Sequence, residues 1–219
     1  MATAQLPTAE QHIVLSNVDW DTYVTFSDKI GERSIRCNYN GADLELMTIS
    51  PEHERSKKLL GRLLEALTVE LDIDMAALGS MTCRRQDLEH GFDPDECYWI
   101  EHEPQIRGRD DIDLSRDPPP DLILEVEMSR SFVDRLAIAA RLGVPEVWRW
   151  DGETLRIMLL EADGHYRESQ RSRMLPFLPI ADFACFLHRD ASQSDTKWLQ
   201  TFGEWVRQQM VGGWGDATP

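Results

Sequence analysis

No stretch of this chain approaches the roughly 20 consecutive apolar residues that a membrane-spanning helix requires. Its first residues, Met1–Gln11, have no basic flank leading into an apolar run, the form a secretory signal takes. The expectation is a cytoplasmic protein with no membrane attachment. Cysteine is sparse: Cys37, Cys83, Cys97 and Cys185 are too far apart for any CxxC zinc or redox motif. In a reducing compartment they should be free and mostly buried thiols, so zinc would need ligands gathered from distant parts of the chain. Internal repeats and low-complexity tracts are also missing. Positive charge is short: 23 Lys and Arg stand against 39 Asp and Glu, a formal net charge of −16. Such a chain repels a polyanion at long range, and DNA binding normally rests on cations that displace counterions from phosphates. Local basic groups at Arg33–Arg36, Arg55–Lys58, Arg84–Arg85 and Arg167–Arg173 could build a positive rim, and bound metal would offset carboxylate charge.

What is present suits a globular α/β domain with terminal additions. The 219 residues suffice to bury roughly 70% of the unfolded chain's surface. A short β-like stretch at His12–Leu15 precedes Trp20–Ile30, whose pattern is ambiguous and admits a helix beginning near Asp19 or Asp21. Two strands, Ser34–Asn38 and Asp43–Ile49, flank Asn40-Gly41, a strong hairpin turn signal. Ser50 caps the clearest helix: Pro51 suits its first position, Glu52 and Glu54 suit the positive end of its dipole, and Leu59, Leu60, Leu63, Leu64, Leu67 and Leu71 follow at helical spacing. On the helical wheel His53 and Lys57 line up with Leu60 and Leu64, at the edge of the core-facing stripe. Strands are expected at Met75–Cys83, Glu96–Ile100 and Asp121–Met128, the last after a charged connection ending in Pro118-Pro119-Pro120. Val133–Leu142 reads as a helix stopped by Gly143, Val147–Trp150 and Leu155–Leu160 as a hairpin around Asp151-Gly152, and Pro176 and Pro179 as loop markers. Asp195–Met210 is an amphipathic helix whose Trp and Phe stripe serves packing or an oligomer contact.

Strand alternation places Asp121, Ile123, Glu125 and Glu127 on one face and Leu122, Leu124, Val126 and Met128 on the other. The apolar face is core. Carboxylates crowded on the opposite face repel one another, so they need a divalent cation, an arginine cluster or open water. Asp95, heading a neighbouring strand, could add an oxygen ligand for a hard ion such as Mg²⁺. Plainer readings stand beside this: the strand lies at a solvated edge, Asp95 is a turn residue after Pro94, and His53 only starts its helix.

The order Asp93-Pro94-Asp95-Glu96-Cys97-Tyr98-Trp99-Ile100, then Pro119-Pro120-Asp121-Leu122-Ile123-Leu124-Glu125-Val126, then Gly143-Val144-Pro145-Glu146-Val147-Trp148 resembles the Uma-two restriction-endonuclease family of the PD-(D/E)xK superfamily. Asp43-Leu44-Glu45-Leu46-Met47 and Ser50-Pro51-Glu52-His53-Glu54 fit its N-terminal part. The resemblance implies a mixed α/β fold: a restriction-endonuclease-like core with a central mixed β-sheet flanked by helices, an N-terminal β-hairpin region and a C-terminal amphipathic helix. It divides the chain into an extension (1–30), the nuclease-like domain (31–190) and the terminal helix and tail (191–219). It makes Pro94-Asp95 the PD element and Glu125 the acid of (D/E)xK, with Asp121 at another recurring acidic position. The implied activity is an endonuclease hydrolysing DNA phosphodiesters with Mg²⁺ or Mn²⁺ held by Asp95, Asp121 and Glu125. The helix-borne acid that the resemblance implies is Glu52 or Glu54, with His53 and Glu45 close by, and homodimerisation is expected for duplex cleavage. In one respect the chain departs from the pattern. Glu127 stands where the motif lysine belongs, and Arg135 stands where many relatives carry a lysine on the following helix. An arginine cannot serve as a general base but can stabilise charge on a phosphate, and Lys57 is a weaker candidate for a displaced lysine. The departure keeps two further readings open: a nuclease-fold binding or assembly protein without cleavage activity, and a metal-dependent hydrolase of another phosphate substrate.

Overall fold

The computed structural model describes residues 9–31, 34–109, 111–189 and 192–212. Arg33 of the first basic group, the boundary at 190–191 and the tail beyond 212 lie outside the described residues. In chain order the elements are β1 (His12–Ser16), α1 (Trp20–Ile30), β2 (Ile35–Tyr39), β3 (Asp43–Thr48), α2 (Pro51–Glu70), β4 (Ala76–Gly79), β5 (Cys83–Arg85), β6 (His90–Phe92), β7 (Glu96–Trp99), α3 (Glu103–Ile106), β8 (Leu122–Val126), α4 (Arg135–Leu142), β9 (Glu146–Trp150), β10 (Leu155–Leu160), β11 (Tyr166–Ser169), α5 (Ile180–Cys185) and α6 (Asp195–Gly212).

The strands form two sheets. The larger has six strands in the order β11-β10-β9-β8-β7-β4, mixed because β8 and β9 run parallel while the other pairs are antiparallel. A parallel pair needs a crossover, and α4 supplies it. The second has five antiparallel strands in the order β1-β3-β2-β6-β5. Its hairpin turns at Gly41, whose φ of 93° suits glycine, while Asn40 Oδ1 accepts from the N–H groups of Ala42 and Asp43.

Helix starts are set by capping. Asp19, Ser50 and Asp134 each accept a hydrogen bond from a first-turn N–H of α1, α2 and α4, and Gly143 in the left-handed conformation ends α4. One face of the large sheet, carrying Leu122, Leu124, Val126 and Trp148, is covered by Leu60, Leu63, Leu64 and Leu67 of α2 and by Trp198, Phe202 and Val206 of α6. Each fully buried leucine contributes roughly 1.5–3 kcal/mol. The Trp and Phe stripe of α6 is therefore packing within the chain. The opposite face, with Cys97, Trp99, Ile123 and Val147, lies under Ile138, Ala139 and Leu142 of α4. A smaller cluster of Tyr23, Cys37, Tyr39 and Leu44 joins α1 to the second sheet.

Several expectations needed correction. The single strand read at Met75–Cys83 is two strands in different sheets, because register breaks between Ala77 and Gly79 and the chain then crosses over. The helix α3 lies in the charged connection before Pro118, and β6, β11 and α5 lie in stretches where no element was expected. Each is too short to show a period, and packing decides it instead. The solvated-edge reading of the Asp121–Met128 strand also falls, since β8 is interior and Glu125 is 5% exposed. Three of the four cysteines are buried and all are free. Among the described residues no helix is long and apolar enough to cross a membrane.

Candidate active site

The antiparallel register of β7 on β8 pairs Glu96 with Leu124 and Cys97 with Ile123. Continued one residue, it sets Asp95 opposite Glu125, with both side chains on the α4 face. Asp95 is wholly buried: its Oδ2 accepts from the Val126 N–H at 2.8 Å and its Oδ1 from His53 Nε2 at 2.8 Å, with Arg36 at 3.7 Å. His53 reaches this point because α2 begins beside β7. Its Nδ1 donates to Glu10 Oε1 at 2.6 Å. Both ring nitrogens thus face carboxylates, a geometry only the imidazolium satisfies. Burial opposes that charge, but the bonds to Asp95 and Glu10 outweigh it and push the imidazole up to about 9. Burial likewise opposes ionisation of Asp95, and His53 outweighs it, holding the carboxyl below the usual range.

Glu125 is different. Its partner is Arg135, whose guanidinium forms an ion pair with Oε2, while Oε1 has no hydrogen-bond partner among the described residues. Burial outweighs the guanidinium and holds Glu125 above the usual carboxylate range. Arg135 itself stands amid Glu125, Asp95, Glu45 and Glu127, which keep it charged despite burial. Behind the pair, Glu45 on β3 accepts from His12 Nδ1 at 2.9 Å, Asn38 Nδ2 at 3.1 Å, the Phe132 N–H at 2.9 Å and the Ser131 hydroxyl. The Ser129 hydroxyl donates to Glu10 and meets His12 Nε2 at 2.7 Å, which closes the network between β1 and the loop after β8.

The structure therefore brings Asp95, Glu125, Arg135, His53 and Glu45 together. Glu127, half-buried and paired with Arg149, shares a cavity of about 260 Å³ with Glu125 and Arg135. Asp121 is not brought to the pair. It lies at the other end of β8, roughly 13 Å along the strand from Glu125, and accepts from the N–H groups of Ile100 at 2.7 Å and His102 at 2.9 Å and from His102 Nδ1 at 2.5 Å. Its carboxylate is spent on holding the turn after β7. Lys57 and Glu54 are also apart. Lys57 Nζ lies 3.8 Å from Glu96 and 3.9 Å from Glu54, on the opposite face of β7 from Asp95. Both line a cleft of about 1600 Å³ with Arg36, Arg84, Arg85 and Asp93. That cleft gathers residues from three of the basic groups noted in the sequence, and Arg36 and Asp93 connect it to the carboxylate pair. Sequence reasoning missed Glu10, His12, Asn38 and Ser129. The only local signal for the first two was the β-like stretch at His12–Leu15.

Among the described residues no three His, Cys, Asp or Glu side chains come together as a ready metal-binding set. The donors at the pair nevertheless fit a hard divalent ion. Glu125 Oε1 has no partner among the described residues, its Oε2 meets Arg135, and the β7–β8 register sets this carboxyl opposite that of Asp95. Mg²⁺ is commonly held by one or two carboxylates, with waters and substrate phosphate completing its shell.

A mixed sheet bearing opposed acids on adjacent strands, clasped by a helix on each face, places the chain in the restriction-endonuclease-like class of folds. The family described as "Uma2: Putative restriction endonuclease" matches residues 20–184, and the chain belongs to it. A crystal structure described as "a putative nuclease belonging to DUF820" from Anabaena variabilis ATCC 29413 is similar over 86% of this chain and 99% of that one, at 13% identity and a TM-score of 0.47. No curated protein matches the chain.

Proposed function

We propose that the chain is a metal-dependent endonuclease acting on DNA, with Asp95 and Glu125 as the protein ligands of Mg²⁺ or Mn²⁺. The observation that carries this is the buried carboxyl of Glu125, whose Oε1 has no hydrogen-bond partner among the described residues, whose Oε2 meets Arg135, and which the register sets opposite Asp95. Bound there, the metal would supply Lewis-acid polarisation of the scissile phosphate and a lowered pKa for its water. The chain's own residues do the rest. Arg135, in the lysine's place, is fixed beside Glu125 and neutralises charge that develops on the phosphate. It cannot take a proton, and protonated His53 cannot at neutral pH, so His53 orients Asp95 instead. Glu127, half-exposed in the same cavity, is the carboxylate left to receive a proton from attacking water. Cleavage of both strands of a duplex would use two copies of the chain.

One observation favours a second reading, a nuclease-fold binding protein without cleavage: among the described residues no lysine pairs with Asp95 or Glu125. Supercoiled plasmid and single-stranded DNA incubated with Mg²⁺ or Mn²⁺ separate the two. The first reading expects nicking that stops with EDTA and in Glu125→Gln. Metal binding without nicking by the wild type selects the second.

A further inference from the structure

We propose that Phe132 is a stacking platform for an unpaired base of single-stranded DNA beside the scissile phosphate. This inference rests on the nuclease reading above and names the form of its substrate. Phe132 is 73% exposed, the most exposed aromatic side chain among the described residues. Its backbone is nevertheless held tightly. Its N–H donates to Glu45 Oε1 at 2.9 Å, the Ser131 hydroxyl bonds both Glu45 and the Val133 carbonyl, and Val133 is buried in the core beneath α4. A loop so anchored could turn an apolar ring inward, yet it presents the ring to water. The His12 ring meets it edge-on, 5.8 Å between centroids and 70° between planes, which sets its orientation and leaves a face for a ligand.

The surroundings identify that ligand. Phe132 lines the 260 Å³ cavity that also contains Glu125, Arg130, Arg135 and Arg149. Arg130 is exposed and has no carboxylate within ion-pair distance among the described residues. The lining also holds the carboxylates of Glu127 and Asp134 and several apolar side chains, but Phe132 alone among them is an exposed large apolar side chain, unlike a protein-docking patch, whose centre is contiguous and apolar. One exposed ring beside guanidinium groups matches the pairing of aromatic platforms with cations along a nucleic-acid strand, where the ring takes a base and the arginines take phosphates. In a duplex the bases are stacked on one another and offer no free face, so the strand that fits is unpaired or locally opened.

The test uses the full-length chain in EDTA, where binding is read without cleavage. Three fluorescently labelled probes are compared by anisotropy: a single-stranded oligodeoxynucleotide, its duplex, and the same strand with abasic sites replacing the bases. The wild type should prefer the single strand to the duplex. Phe132→Ala should weaken single-strand binding roughly tenfold, the usual effect of losing one stacked base. Phe132→Trp should restore it, and binding of the abasic strand should not respond to either substitution. Equal binding of the single strand by wild type and Phe132→Ala overturns this proposal, and the ring is then a contact for some other partner. If that equality accompanies metal-dependent plasmid nicking, the nuclease reading survives alone. Neither oligonucleotide binding nor nicking by the wild type defeats both.

Discussion

His53 is held between two carboxylates and carries its proton well past neutrality, which makes the fold's stability depend on pH. The imidazole is pushed up to about 9 from an ordinary 6.5, so the folded state binds the proton more tightly than the unfolded chain does. That stabilisation is complete below about 6.5 and is lost as pH climbs through about 9, with a magnitude on the order of 3 kcal/mol. In EDTA, the urea midpoint should therefore fall across this window. His53→Asn should flatten the slope, and Glu10→Gln, which removes one of the two partners, should reduce it. A wild-type midpoint that is level from neutral pH to about 9 would remove the imidazolium from the account. Arg135 gives a second test at this scale. Arg135→Ala leaves Glu125 buried without its countercharge and should cost about 3–5 kcal/mol by denaturant melting, whereas Arg135→Lys keeps the charge and should fold. If Arg135→Ala matches the wild type in stability, the ion pair is not what neutralises Glu125.

At the scale of elements, the site is a consequence of one register. Pairing β7 with β8 so that Cys97 meets Ile123 sets Asp95 against Glu125, and the Val126 N–H locks the arrangement by bonding Asp95. Both strands, the helix bearing His53 and the helix bearing Arg135 could be read from the chain, because each has a period or a cap: Ser50 and Pro51 before α2, the apolar run of β8, Gly143 after α4. What could not be read was the partner of each charge. Strand alternation put Asp121 on the face of Glu125, but only the fold shows that the backbone around Ile100 and His102 occupies it. Lys57 was aligned correctly on the core-facing side of α2, yet β7 separates it from the pair. Glu10 and His12 arrive through pairing of β1 with β3, a contact distant in sequence that leaves no local pattern. The second sheet depends on a close approach of the same kind. A Cβ at Gly91 of β6 would lie 2.1 Å from the Tyr23 hydroxyl oxygen of α1. Gly91→Ala should cost about 1–3 kcal/mol or more in urea unfolding. An unchanged midpoint would show that α1 is free to move away from β6.

For the whole molecule, the formal charge of −16 and an affinity for DNA are compatible if binding is local. Arg36, Lys57, Arg84 and Arg85 line the larger cleft, and Arg130, Arg135 and Arg149 line the cavity that contains Glu125. Long-range repulsion should slow association at low salt, while the few phosphate contacts should give a shallow salt dependence. The helices that clasp the large sheet must all be present for this arrangement to persist. Removing α6 would expose the leucine face of α2, and a chain cut before Asp195 should aggregate or lose its cooperative unfolding transition. A soluble, cooperatively folding truncation would show that α6 is an appendage. Calorimetric titration of Mn²⁺ into the metal-free protein tests whether Asp95 and Glu125 together hold a divalent metal. A saturable site in the wild type should be lost in both Glu125→Gln and Asp95→Asn. Binding that survives both substitutions, or a wild type that binds no metal, would contradict this ligand assignment.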